Sequence, residues 1–139
     1  MTPEQHEGYR FLVNGPRGRL SGPNKIWVHY PNLVHAAAPL GNHFKRGKSS
    51  LTEREREIAV VVITAALHLA YPNNAHEKRG REVGLSAAAV DAVIAGLPAS
   101  FEDAREQLVY EVAMALAAAR IVPQELYDRA VAGLGASPT

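Results

Sequence analysis

The sequence predicts an all-α fold, on three observations. Apolar residues recur at helical spacing, as in Val90, Val93, Ile94 and Leu97, which lie at i, i+3, i+4 and i+7. Helix punctuation recurs with them: Thr52 and Glu55 spell a capping box, Ser86 stands as an N-cap, Pro31, Pro72 and Pro123 suit first turns, and Gly84 suits a helix end. The β-branched run Ile58–Ile63 follows a start rich in Glu and Arg and continues into Ala65–Ala70, which has high helix propensity, so it too reads as helix. At 139 residues the chain suits one domain, residues 1–139. It divides into a short N-terminal helix and extended arm over 1–30 and a helical core over 31–135, with about six helices after or including the N-terminal one.

In chain order, a helix is expected over Pro3–Val13, followed by an arm punctuated by Gly15-Pro16, Gly18 and Gly22-Pro23. Pro31 opens a helix reaching about Arg46, which Pro39 should kink or split and Gly47 should stop. The Thr52 helix should run to about Tyr71. Because Ile58, Val60, Val61, Val62, Ile63 and Leu67 point in all directions, it should be central and surrounded by the others. Pro72 should open a helix ending near Val83, and Ser86 the next. Phe101, Leu108, Val112, Leu116 and Ala119 form a one-sided stripe on another, and Leu126, Ala130 and Leu134 mark one side of the last.

Composition removes several function classes. Fifteen basic against fourteen acidic side chains supply no field for a phosphate backbone, so no nucleic-acid partner is expected. Zero cysteine excludes disulfides, thiolate-zinc sites and thiol chemistry. No apolar run approaches the roughly 20 residues of a membrane span, and the N-terminus does not read as a signal peptide; a cytoplasmic protein with no membrane partner is expected. Residues 1–70 nevertheless carry a net +4 and residues 71–139 a net −3. The basic cluster His43–Lys48 reads either as a solvated loop or as a cationic rim attracting a small carboxylate.

Two residues carry most of the chemical promise. Glu57 lies on the central helix where the apolar run begins, sharing a face with Val61, Thr64 and His68, so its carboxylate should be half-buried. Its plainer reading is a first-turn glutamate favourable to the helix dipole. His76 follows one turn after Pro72, and imidazole can both take and give a proton near neutrality. Its plainer reading is a surface histidine beside Glu77 and Lys78. His35 and His43 are eight apart with Pro39 between them, and no HxxxH pair occurs, so no metal is expected. Trp27, His29 and Tyr30 read as arm packing or as a stacking surface.

The order Gly22-Pro23-x-x-x-Trp27-x-His29-x-Pro31-x-Leu33, then Leu51…Arg56-Glu57, then Tyr71…Ala75-His76-Glu77, then Gly84-Leu85, resembles the carboxymuconolactone decarboxylase-like family, whose superfamily includes alkylhydroperoxidase D. The resemblance runs from about Gly22 to Leu134. It implies a helical subunit of the alkylhydroperoxidase D-like type that assembles into trimers or hexamers, with its active site near subunit contacts and no cofactor. The hydroperoxidase branch uses a glutamate, a CxxC pair and a histidine. Glu57 and His76 match the glutamate and the histidine, whereas Leu69 and Pro72 stand at the cysteine positions, so dithiol peroxide reduction is excluded.

The decarboxylase branch needs no thiol. A carboxylated lactone loses carbon dioxide when the developing enolate is stabilised and a proton reaches carbon. In that reading His76 is the general acid/base, Glu57 orients it or relays its proton, Tyr71 offers a hydroxyl, and Arg54 or Arg56 clamps the substrate carboxylate. His29, beside Trp27, reaches over the same pocket. Two departures from the family pattern accompany this. Pro72 and Asn73 replace polar groups found in relatives, and the chain stops where relatives continue with a further apolar helix. A second copy or a partner chain is expected over the groove so exposed. The alternative is a non-catalytic member of the same family, a small-molecule-binding or assembly subunit.

Overall fold

The computed structural model describes residues 1–15, 18–20, 22–44, 49–118 and 121–135. The described residues form eight α-helices and no strand, grouped into two units, Met1–Ser49 and Ser50–Thr139.

In the first unit, α1 (Pro3–Val13) begins as the sequence predicts. Pro3 occupies the first turn, where its missing N–H costs nothing, and Thr2 and Gln5 close a reciprocal capping box. The arm is not extended throughout: Asn24–Trp27 form a one-turn helix, α2. Helix α3 (Pro31–His43) contains Pro39 without being split. Pro39 is exposed, so its ring faces solvent and the helix forgoes only the hydrogen bond that an N–H would have made. The expected end at Arg46 and stop at Gly47 lie outside the described residues. Leu12, Val28 and Val34 form the core of this unit, with Gly8 of α1 buried against Pro31 and Val34.

In the second unit, α4 (Glu53–Ala66) starts at the predicted Thr52 capping box, with Glu55 as its reciprocal partner. It ends at Ala66, short of the expected Tyr71, because His68 turns into the left-handed region at φ 52°. The N–H of Leu69 then bonds the carbonyl of Thr64, and that of His68 the carbonyl of Ala65, the paired bonds of a Schellman end. This tight reversal lets α5 (Ala70–Glu82) start two residues before Pro72, which sits inside the first turn where it has no bond to lose. The same pair of bonds closes α5, at Gly84, and α6 (Ala87–Ile94), at Gly96, with glycine in the left-handed position each time. Leu97 therefore falls past the end of α6 and is exposed.

Helix α4 packs against α5, α6 and α7 (Ala104–Ala118), and Ile58, Val61, Val62, Val90, Val93, Val109, Tyr110 and Ala113 fill the core between them. The expectation of a helix covered all round is corrected: Ile63 and Leu67 are exposed in the single chain, Leu67 to 58 %. The stripe expected on α7 is also rotated. Glu106, Leu108, Val109, Tyr110 and Ala113 are buried, whereas Leu116 is exposed and Val112 only partly covered; Ala119 lies outside the described residues. Hydrophobic spacing misses this face because it begins with a charged residue, Glu106, in the first turn of α7. Helix α8 (Gln124–Leu134) turns Leu126, Ala130 and Leu134 to its less exposed side as predicted, with Gly133 against Leu108.

Two arginines tie this unit together. Arg54 donates to both carboxylate oxygens of Glu106 and to the carbonyls of Val83 and Gly84, linking α4 to α7 and to the end of α5. Arg105 donates to Glu55 at 2.8 Å and to the carbonyls of Ser50 and Gly133, joining both ends of the unit. Burial pushes the Glu55 carboxyl up, but bonds from Arg105 and from the Thr52 N–H outweigh it and hold the group below its ordinary value. A depressed folded value contributes stability that is present above the unfolded value, about 4.3, and is lost as pH falls through the folded one. Urea midpoints should therefore drop on acidification below about pH 4.3, with a shallower drop in Arg105→Gln. Identical acid slopes in the two proteins would assign the loss to other carboxylates.

Candidate functional site

The Schellman turn at Leu67–Leu69 lays α5 back along α4, so that residues advancing along one helix meet residues receding along the other. Two polar contacts result. His76 Nδ1 lies 2.6 Å from Glu57 Oε2, across nineteen positions of sequence. Thr64 Oγ1 lies 3.1 Å from Asn73 Oδ1. Glu57 and Thr64 are two turns apart on α4 and both buried; Asn73 and His76 are one turn apart on α5 and half-buried.

The carboxylate of Glu57 can only accept a hydrogen bond, so Nδ1 of His76 must carry the proton between them. That leaves Nε2 as the nitrogen able to exchange a proton with a ligand, and it makes no hydrogen bond within the described residues. The His76 side chain is 35 % exposed against 6 % for Glu57. The pair is thus a buried acceptor that fixes ring and tautomer behind an imidazole open to solvent. Because α5 begins at Ala70, two residues before Pro72, His76 is the seventh residue of its helix. The neighbouring carboxylate, rather than the helix end, is its dominant electrostatic partner.

The other candidates are placed as follows. Tyr71 lies in the first turn of α5 and is 67 % exposed. The guanidinium of Arg54 is engaged by Glu106, which raises its affinity for its proton, and by two carbonyls, so the donors a substrate clamp would need are in use. Arg56 is mostly covered and faces Glu53 at 3.7 Å, a carboxylate it shares with Arg79 at 3.0 Å. His68, expected on the face of Glu57, is instead exposed in the turn.

Trp27 and His29 belong to the first unit. His29 is exposed, and its carbonyl accepts from the Gln5 side chain. Trp27 lines a cleft of about 760 Å³ between α1, α2 and α3, together with Arg10, Phe11, His35 and Ala38. The rings of Phe11 and His35 stand 4.7 Å apart there. This cleft is a feature of the first unit, and the Glu57–His76 contact one of the second.

Residue type marks Glu57 and His76 in the sequence, whereas it does not mark the Thr64–Asn73 contact beside them. The signal available was the i, i+3 spacing of Asn73 and His76, which puts both on one face of α5. Among the described residues no three His, Asp or Glu side chains gather as a metal-binding group. No described helix is long and apolar enough to cross a membrane. Compared with family models, with curated proteins and with solved structures, the chain finds no match.

Proposed function

We propose that the protein is a carboxymuconolactone decarboxylase-like enzyme that carries out non-redox proton transfer on a small carboxylated lactone or cyclic acid. The observation that carries this reading is the 2.6 Å contact between His76 Nδ1 and the buried Glu57 carboxylate, with Nε2 left open. In the step envisaged, the bond between the ring carbon and its carboxylate breaks and carbon dioxide leaves. The electron pair passes into the lactone carbonyl as an enolate, and protonated His76 delivers its Nε2 proton to carbon. Glu57 stabilises the imidazolium that precedes this transfer and holds the ring in place. Leu69 and Pro72 stand at the positions where the resembling peroxidases carry their cysteines, and the chain has no cysteine, so the dithiol route is closed to it.

A second reading, a non-catalytic binding or assembly subunit, draws on a different observation. Ile63, Leu67, Leu69 and Tyr71 are all exposed around the α4–α5 turn, an apolar surface that a second copy would cover. Subunit assembly and catalysis are compatible, so turnover decides between the readings. The purified protein is to be incubated with a panel of carboxylated lactones and assayed for carbon dioxide release beside His76→Gln. Enzymatic function predicts turnover that falls by about 10²–10⁴-fold in the variant. Release unaffected by the substitution removes His76 from the chemistry, and a wholly inert panel favours the assembly subunit.

A further inference from the structure

We propose that Asn73 is the oxyanion donor of this site, binding the carbonyl or enolate oxygen of the substrate beside the proton source His76. The assignment rests on the proton-transfer reading of the Glu57–His76 pair and adds the group that reading lacks. Decarboxylation places negative charge on a carbonyl oxygen, and that charge needs a fixed donor as much as the carbon needs a proton. The arginines and the tyrosine expected to serve are committed or mostly exposed. Arg54 is taken up by Glu106 and two carbonyls, and Tyr71 points a mostly exposed side chain from the first turn of α5.

Asn73 meets the requirement by geometry. Its Oδ1 lies 3.1 Å from the hydroxyl of Thr64, a side chain buried in the face of α4 that also holds Glu57. The Thr64 hydroxyl has one proton, shared between Asn73 Oδ1 at 3.1 Å and the Val61 carbonyl at 3.2 Å, and the branch to Oδ1 ties the amide to α4. Nδ2 makes no hydrogen bond within the described residues, while every fully buried side-chain nitrogen and oxygen there has a partner. The two N–H groups of Asn73 are therefore ones that solvent or a ligand reaches. Asn73 and His76 stand one helical turn apart, with Cβ atoms roughly 5–6 Å from each other. An enolate carries its oxygen and its nucleophilic carbon within one short span, so a donor and an acid at this spacing address both atoms of one small ligand. Thr64 thus acts as a positioning residue and Asn73 as the contact.

The probe is 4-nitrophenolate, a planar oxyanion that absorbs visibly, with nitrobenzene as its uncharged counterpart. Both are titrated into the full chain, into Asn73→Ala and into Thr64→Val, following absorbance and the side-chain amide resonances by NMR. The expected result is saturable phenolate binding that shifts the Asn73 amide resonance and weakens about tenfold or more in Asn73→Ala. Nitrobenzene affinity should not change, and Thr64→Val should fall between. Absence of saturable binding in the parent, equal phenolate affinity in Asn73→Ala, or a parallel loss for both probes would each overturn the assignment. The outcome is separable from that of the lactone panel. Asn73-dependent phenolate binding with an inert panel keeps the anion site and discards the reaction, whereas His76-dependent turnover with Asn73-independent binding does the reverse.

Discussion

Replacing Arg54 by alanine is expected to destabilise the second unit by about 3 kcal/mol, the largest loss foreseen for a single charged side chain here. Glu106 is buried at the start of the packed face of α7, and Arg54 meets both of its oxygens. Without the guanidinium, a nearly dry carboxylate is left with no counter-charge, and the carbonyls of Val83 and Gly84 lose their donor. The figure is kept at the lower end of the range for buried pairs because the Arg54 side chain is still 41 % exposed and partly screened by water. Gly84 adds a geometric element. It holds a left-handed φ of 85°, and the guanidinium lies 3.0 Å from where a Cβ would sit, so glycine is what lets its carbonyl reach Arg54.

Chemical denaturation followed by circular dichroism tests this, with two companions. Arg54→Lys keeps the charge but not the fork, and should recover only part of the loss. The double variant Arg54→Ala/Glu106→Gln should be more stable than Arg54→Ala alone, since it removes the stranded charge. A single variant within about 0.5 kcal/mol of the parent would show instead that the pair behaves as an ordinary surface ion pair.

Glu57→Gln is expected to preserve the fold and to cut turnover of any competent substrate by about 10²-fold or more. Glutamine has nearly the shape of glutamate and can still accept from Nδ1. It carries no charge to stabilise an imidazolium, and its amide can rotate to offer N–H groups, which reverses the tautomer of the ring. The change is therefore legible without a substrate. Nitrogen-15 shifts of His76 in the parent should show the proton on Nδ1, and in the variant a mixture of the two tautomers or the reverse one. A parent in which His76 carries its proton on Nε2 would contradict the hydrogen bond to Glu57 and the catalytic role drawn from it. Equal turnover in the two proteins would leave Glu57 a structural residue.

Much of the helical plan follows from local chemistry, and so it is readable in one dimension. The capping boxes at Thr2 and Thr52, the N-cap at Ser86 and the prolines of the first turns act within three or four residues, whatever the rest of the chain does. Glu57 and His76 are likewise recognisable by residue type and position. The failures share a cause. The end of α4 depends on His68 adopting a left-handed conformation that glycine would have announced and histidine does not. The packed face of α7 contains a glutamate that an apolar stripe passes over, and its burial makes sense only once Arg54, fifty-two residues earlier, is known to face it.

Read alone, then, the chain determines its helical class, most helix starts, the absence of thiol chemistry and the carboxylate and imidazole that the fold brings to 2.6 Å. All of these depend on composition or on contacts close in sequence. Folding decides the rest. It commits Arg54 to Glu106 rather than leaving it for a substrate, moves His76 away from the end of its helix, and sets Asn73 on the buried Thr64 beside it. These outcomes depend on how the turn at His68 aligns two helices, and the distance between residues on different helices is a property of that packing, not of spacing along the chain.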